Sequence, residues 1–415
     1  MDSSAALGVL HWAAAAASGF GMFAVAAGAA AVHRFAARPI RPPAERPPVT
    51  VLRPLCGDEP LLDEALASIC RQAYPRFQIV FGVHDAADPA LRAVRRLQAR
   101  FPDRDIAVAI DSRRHGQNRK VCNLINMLPW AAHDVLVFSD SDLHVAPDYL
   151  DRLVAALDVP GTGLVTTLCA GRPTVRGLGA LLGATQISHS FLPGTLLSRA
   201  LGRQDCLGTT MALRRETLAQ VGGLHALVRH LADDNVLGQL VRRLGQRIDL
   251  ADTVPATAVP EPSMRLLWTH ELRWARTIRA LQPLGFAASA LQFPLFWAML
   301  NCLLTGISNG SVGLFAAAWT LRAAAARWID RALGRRRGEP VAAAPIWLMP
   351  LRDLLSVAQI VASFLGGQVV WRGHIMFADS GSATPPDIGE ALAPARWASE
   401  YTASMKLPEY DGFPR

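Results

Sequence analysis

The stretch DVLVFSDSDLHVAPDYL, residues 134–150, decides how the chain reads. Its apolar, β-branched run from Val135 to Phe138 stops at two carboxylates one residue apart, Asp140 and Asp142. A strand that is apolar without alternation belongs to a sheet covered on both faces. In open sheets of that kind, ligands bind beyond the carboxyl ends of the strands. The stretch therefore predicts an α/β fold with a polar site at the strand end.

The flanking sequence repeats the alternation. VTVLRPL (49–55) reads as a strand, and the helical pattern LLDEALASICRQ (61–72) follows it. FQIVFGVHD (77–85) is a second strand ending in an acid, Asp85. DPALRAVRRLQARF (88–101) is an amphipathic helix and DIAVAID (105–111) a third strand. Strands alternating with helices of this length predict a mostly parallel, helix-covered sheet.

Outside this region the chain is apolar. No Asp, Glu, Lys or Arg occurs from Leu7 to Val32, enough length to cross a bilayer, which takes roughly 20 residues. The start, MDSS, lacks the basic residues of a cleaved signal peptide. Arg34, Arg38, Arg41 and Arg46 follow the span, so the positive-inside rule places the N-terminus outside and the rest in the cytoplasm. RPIRPPAERPP (38–48) is a stiff linker. Leu284–Ser308, Gly310–Ile329 and Ile346–Trp371 are further candidate spans. Arg322 weakens the second of these. Arg352 and Asp353 suggest an interfacial turn before a span beginning at Leu354 in the third. The expected division is an anchor over 1–33, a linker over 34–48, a catalytic domain over 49–282, membrane helices over 283–375 and a peripheral tail over 376–415.

The hydrophobic fraction of 51% and positive mean hydropathy fit this membrane reading. The net charge of +8 sits largely beside the apolar spans and, with only 4 Tyr, lacks the stacking aromatics of a nucleic-acid surface. Six cysteines without a CxxC pair argue against a zinc site or a disulfide framework.

The acids carry the chemistry. An Asp-x-Asp on a strand-ending turn offers hard oxygen ligands for Mg²⁺ or Mn²⁺, ions that hold a diphosphate. A turn satisfying its own backbone donors is the structural alternative. RRHGQNRKVCNL (113–124) places Lys120 and Asn123 where a helix begins, suited to phosphate or sugar oxygens or to a solvated basic loop. HLADDNVLGQLV (230–241) puts Asp233 and Asp234 at a helix start, where they favour the dipole or supply a general base. HELRWARTIR (270–279) sets Arg273 and Trp274 before the membrane spans, as anchors or as a cation for a departing diphosphate.

In this order, the segments VTVLRPLCGDEP, FQIVFGVHDAADPA, HGQNRKVCNLINMLP, DVLVFSDSDLHVAPDYL, TTMALRRETLAQVGGL, LADDNVLG and HELRWARTIRALQPLG resemble family 21 glycosyltransferases, the ceramide glucosyltransferase group. Within that group they most resemble the bacterial hopanoid-associated transferases. The resemblance implies a GT-A nucleotide-diphospho-sugar transferase domain with N-terminal and C-terminal transmembrane helices in the bacterial inner membrane. It places Pro54, Glu59, Asp85, Lys120 and Asn123 near the nucleotide. Asp140 falls by the ribose or sugar and Asp142 on the metal, with Asp140 as a second candidate ligand. Asp233 stands beside the presumed base Asp234, and Arg273 and Trp274 at the end of the (Gln/Arg)-x-x-Arg-Trp motif. His270 stands where that motif has Gln or Arg, and Asn235 where an aromatic is expected. The implied reaction is inverting transfer from a UDP-sugar, with N-acetylglucosamine as the sugar, to a hydroxyl of a hopanoid polyol such as bacteriohopanetetrol. Ceramide with UDP-glucose is the alternative. A processive polysaccharide synthase would need more spans, and an Asp-x-Asp phosphohydrolase would carry its acid on the first strand. A non-enzymatic scaffold would leave the acids unexplained.

Overall fold

The computed structural model describes residues 3–337, 342–371 and 374–377. Nearly all of the expected tail over 376–415 lies outside them. The chain opens with α1 (Ser3–Ala36), a helix apolar on all sides that ends before the Arg38-Pro39 pair. Leu7, Trp12, Phe20 and Phe23 are exposed along it, an arrangement that suits lipid rather than water.

The α/β body then alternates as the periodicity predicts. Its first half runs β1 (Val49–Pro54), α2 (Leu62–Cys70), β2 (Phe77–Val83), α3 (Ala90–Arg100), β3 (Asp105–Ile110), α4 (Arg119–Met127) and β4 (Val135–Ser139). After β5 (Leu143–His144) come α5 (Tyr149–Leu157), β6 (Thr162–Thr166), β7 (Ala170–Pro173), α6 (Leu178–Gln186) and α7 (Leu192–Ala200). The last part of the body is β8 (Thr210–Arg214), α8 (Arg215–Gln220), α9 (Asp233–Arg243), β9 (Arg247–Leu250) and β10 (Ala256–Val259).

Seven strands form one sheet in the order β3-β2-β1-β4-β8-β6-β9. The β3-β2-β1-β4 half is parallel, and β8 runs antiparallel to both β4 and β6. Both faces are covered. One core lies under α2, α3 and α5, around Leu66, Ile79, Val94 and Leu153. The other lies under α4 and α9, around Val80, Leu124, Leu136 and Val236. The order reverses between β1 and β4, so the crevice opens where Pro54 and Asp140 leave the sheet. A small sheet, β5-β10-β7, flanks the crevice on the side of Asp142.

The remaining helices are α10 (Met264–Leu281), α11 (Pro283–Ala288), α12 (Pro294–Thr305), α13 (Asn309–Arg337) and α14 (Met349–Ser363). Among the described residues two segments are long and apolar enough to cross a membrane, Leu7–Ala36 and Ile346–Ser363, or three if the bent pair Pro283–Gln292 and Pro294–Thr305 is one span. The stretch read as one span over Leu284–Ser308 is a pair of helical pieces bent by 71° at the Phe293-Pro294 junction. Pro294 lacks the N–H that would continue the ladder.

The third candidate also needs correction. Its helix begins at Met349 rather than Leu354 and stops at Ser363, and Gln368–Trp371 is a strand, β11, paired with β12 (His374–Phe377). The charges that seemed to interrupt these spans face inward and pair with one another. Arg322 of α13, 3% exposed, meets Asp353 of α14, 0% exposed, at 3.1 Å, and also donates to His189 O and Ser190 Oγ. Arg352 meets Glu271 of α10 at 3.0 Å, and Gln359 Nε2 donates to the same carboxylate at 2.6 Å.

Removing one partner of a buried pair strands the other, at a cost of about 3–5 kcal/mol. Asp353→Ala is expected to lose about that much stability in detergent unfolding, whereas Arg322→Met with Asp353→Leu recovers most of it. Equal loss in the single and double variants would show that the pair does not hold α13 to α14.

Candidate active site

The strand-ending turn is built from below. Arg53, near the end of β1, is wholly buried. Its guanidinium donates to Ser139 Oγ at 3.3 Å and to Leu143 O at 2.8 Å, the residues on either side of the Asp140-Ser141-Asp142 turn. A further N–H reaches Ala65 O of α2 at 3.0 Å. Burial lowers the Arg53 pKa, and Asp142 and Asp140 act against that shift. From above, Ser141 Oγ donates to Glu59 at 2.7 Å, which ties the loop after β1 to the same turn. From the side, Thr257 Oγ1 of β10 donates to Asp142 Oδ2 at 2.5 Å. The turn is therefore fixed by three elements, and its carboxylates face the crevice.

Lys120 stands opposite. Its Nζ lies 2.7 Å from Asp140 and donates to Gly208 O at 3.1 Å. Burial works against this ammonium, but Asp140, Asp233 and Asp234 outweigh it and raise its pKa. Asn118 caps α4 by accepting from Val121 N, and its amide donates to Asp233 Oδ1 at 3.2 Å and to His230 O at 2.9 Å. The turn before α4 thus carries the start of α9 against the DSD motif. Asp233 Oδ2 is buried without a hydrogen-bond partner. Burial raises the Asp233 pKa.

Asp234 sits beside Gly208, where a Cβ would approach its carboxylate to 2.9 Å, so only glycine leaves the carboxylate its place. Burial, and then the neighbouring Asp233, push the Asp234 pKa up to about 7. Burial, and then Asp140, push Asp142 up to about 6. Two carboxyl groups with raised pKa values in one crevice suit acid–base or metal chemistry.

The structure sorts the remaining expected residues. Asp140, Asp142, Lys120, Asp233 and Asp234 come together. Pro54 ends β1 in register with Gly82. Lys120 is held by carboxylates here rather than presented alone to a phosphate. Asn123, expected beside the nucleotide, is instead 3% exposed beneath the site, with its amide donating to Gly82 O at 2.8 Å. Asp85 is exposed at the end of β2 and accepts from Ala87 N at 2.9 Å. On α10, His270 Nδ1 bonds Glu261, just beyond β10, and its ring meets Trp274 edge-on at 4.5 Å. Arg273 is half-buried on that helix and Trp274 is 38% exposed. Sequence reading missed Arg53, Thr257 and Glu261. The first is a lone charge in an apolar strand, a signal the sequence carries.

No cluster of three or more His, Cys, Asp or Glu side chains able to hold a metal occurs among the described residues. Mg²⁺ is commonly held by one or two carboxylates plus substrate phosphates, so the Asp140–Asp142 pair fits an ion that the donor completes.

A family model described as "Glycosyl transferase family 21" matches residues 12–384. "Ceramide glucosyltransferase 1" of Caenorhabditis elegans is 23% identical over 61% of this chain, which spans about half (54%) of the worm protein's length. "Ceramide glucosyltransferase 3" of the same animal is 21% identical over 82% of this chain and 75% of its own. The mannosyltransferase PcManGT from Pyrobaculum calidifontis, solved with GDP-Man and Mn²⁺, superposes with a TM-score of 0.50. It is 21% identical and covers 86% of this chain and 99% of its own, a likeness of fold.

Groups that support metal ligands from behind are worth about 10–100-fold in metal affinity. Arg53→Met is expected to weaken Mn²⁺ binding by at least about tenfold, read by paramagnetic resonance titration of the folded protein. Unchanged affinity would show that the DSD turn stands without Arg53.

Proposed function

This chain belongs to glycosyl transferase family 21 and is a glycosyltransferase of GT-A fold, and on that premise we propose that it transfers a sugar from a nucleotide-diphosphate donor to a membrane lipid hydroxyl. The observation that carries the reading is the gathering of Asp140, Asp233 and Asp234 around Lys120, with Asp142 beside Asp140, at the reversal point of the sheet.

Asp142, with Asp140, would hold a divalent cation, Mg²⁺ or Mn²⁺. When bound, such an ion offsets the charge that develops on the departing diphosphate. Arg273 of α10 would add a fixed positive charge toward the departing diphosphate. Asp234 takes the proton of the acceptor hydroxyl as it attacks the anomeric carbon. The bond to the diphosphate breaks in the same displacement, and the proton remains on Asp234. Single displacement inverts an α-linked donor to a β-linked product. Lys120 holds Asp140 in place through their 2.7 Å contact, and burial, then Asp233, push the Asp234 pKa up to about 7.

The finer reading is a UDP-N-acetylglucosamine donor and a hopanoid polyol acceptor, at the cytoplasmic face of a bacterial inner membrane. It rests on the motif resemblance and on the Arg-rich flank of α1. The second reading, UDP-glucose and ceramide, is favoured by the names of the worm relatives. Uridine diphosphate release decides between them when each donor is paired with bacteriohopanetetrol and with ceramide, beside an Asp142→Ala control. Release only with UDP-N-acetylglucosamine and the hopanoid supports the first, and release only with glucose and ceramide supports the second. Release from no pair overturns both.

A base with a pKa of about 7 is inactive when protonated, so kcat/KM is expected to fall about tenfold per pH unit below 7. Asp234→Asn should lower kcat by about 10²–10⁴-fold, remove that acid limb and leave nucleotide binding little changed. Equal loss of rate and nucleotide binding would move Asp234 to the donor site.

A further inference from the structure

An open cleft of about 600 Å³ lies between α9, the loop after α7 and the C-terminal end of α10. Its wall carries Gln204, Asn235, Gln239, Arg242, Gln246 and Gln282. We infer that this cleft receives a hydroxyl-rich lipid head group and that its amides select a polyol acceptor. The inference rests on the transfer reading above and adds where the acceptor lies and what chemistry recognises it.

Three observations carry it. First, the cleft adjoins the base. Asn235 N donates to Asp234 Oδ1 at 2.7 Å, so the wall and the proposed base are consecutive residues. Asn235 Oδ1 in turn accepts from Gln239 Nε2 at 2.7 Å, which fixes the next turn of the wall. Second, amides are the commonest polar side chains of the lining, alongside Arg203, Asp205, Arg242 and Arg247. An amide both donates and accepts, as a hydroxyl does, whereas an ammonium or carboxylate offers one role only. The arginines on the wall are already engaged: Arg203 pairs with Asp205 at 2.8 Å, Arg247 with Asp249 at 3.3 Å, and Arg242 donates to Gln204 O. Each of these guanidinium groups thus has a partner within or beside the wall. Third, its rim is apolar. Leu201, next to lining residue Gly202, is 87% exposed, and Leu284, two residues beyond Gln282, is 85% exposed. Leu284 opens the apolar bent pair α11–α12, so a lipid held at that rim places its head inward and its tail along the membrane helices.

The test uses the full chain in detergent with UDP-sugar and Mg²⁺. The acceptors are 1-O-dodecyl erythritol, which has three free hydroxyls, and dodecanol, which has one. Each amide hydrogen bond to a hydroxyl is worth up to about a factor of ten. Gln239→Leu is expected to raise the apparent KM for the erythritol lipid by about tenfold with a steady donor KM, and to collapse its preference over dodecanol. Gln282→Trp, an exposed change that fills the cleft without burying a new group, is expected to do the same. An unchanged acceptor preference in both variants overturns the inference, as does a donor KM that rises in step. Release by the unsubstituted protein with bacteriohopanetetrol or ceramide but with neither dodecyl lipid overturns the inference, and release with none of the four overturns the transfer reading itself.

Discussion

The constraint on which this structure turns is electrostatic: four carboxylates share one crevice, and the cations built into it are Lys120 and the buried Arg53. Two like charges a few ångströms apart in a low-dielectric site repel by several kcal/mol, so such a cluster stands only where something holds it. Lys120 bonds Asp140 at 2.7 Å and Arg53 braces the turn from inside the sheet. Burial, and then the neighbouring carboxylates, raise the pKa of Asp142 to about 6 and of Asp234 to about 7. A fold that only needed a turn after β4 would not gather these acids. A fold that binds a cation and a polyphosphate, and also needs a base, has reason to.

The parts that position the cluster are far apart in sequence, and this bears on what the sequence could reveal. The strand run before Asp140, the acids themselves and the order of the helices are local patterns, and all were legible. Thr257 holds Asp142 across 115 positions, and Asn118 holds Asp233 across another 115. No periodicity points to such pairs. Asn123 lies apart from the crevice carboxylates for a related reason. The first turn of α4 sends Lys120 to the crevice, but Asn123 falls on the face packed against β2, where Gly82 leaves room for it.

The membrane part shows the same limit from the other side. Arg322, Arg352 and Asp353 were read as interruptions because hydropathy counts charges without their partners. In the structure each finds a partner on another helix, and the helices they join bring α10 to rest against α14. The Glu271–Arg352 pair lies two positions from Arg273, so the helix that carries the Arg-Trp motif is fixed to the membrane region by its own buried face. On the other end, His270 ties α10 to Glu261, and β10 leads from there back to Thr257 and Asp142. The substitution that looked like a departure in the motif thus has a partner of its own. One continuous path of polar contacts and backbone runs from the membrane helices to the proposed metal carboxylate.

The most direct measurement of the central claim is the structure of the protein with uridine diphosphate and Mn²⁺, with the ion located by its anomalous scattering. The account predicts one manganese peak against Asp142 at the β1–β4 crevice, bridging to the diphosphate, with Asp234 on the far side of the vacated sugar position. A manganese peak elsewhere, or nucleotide bound away from Asp140 and Asp142, would contradict it.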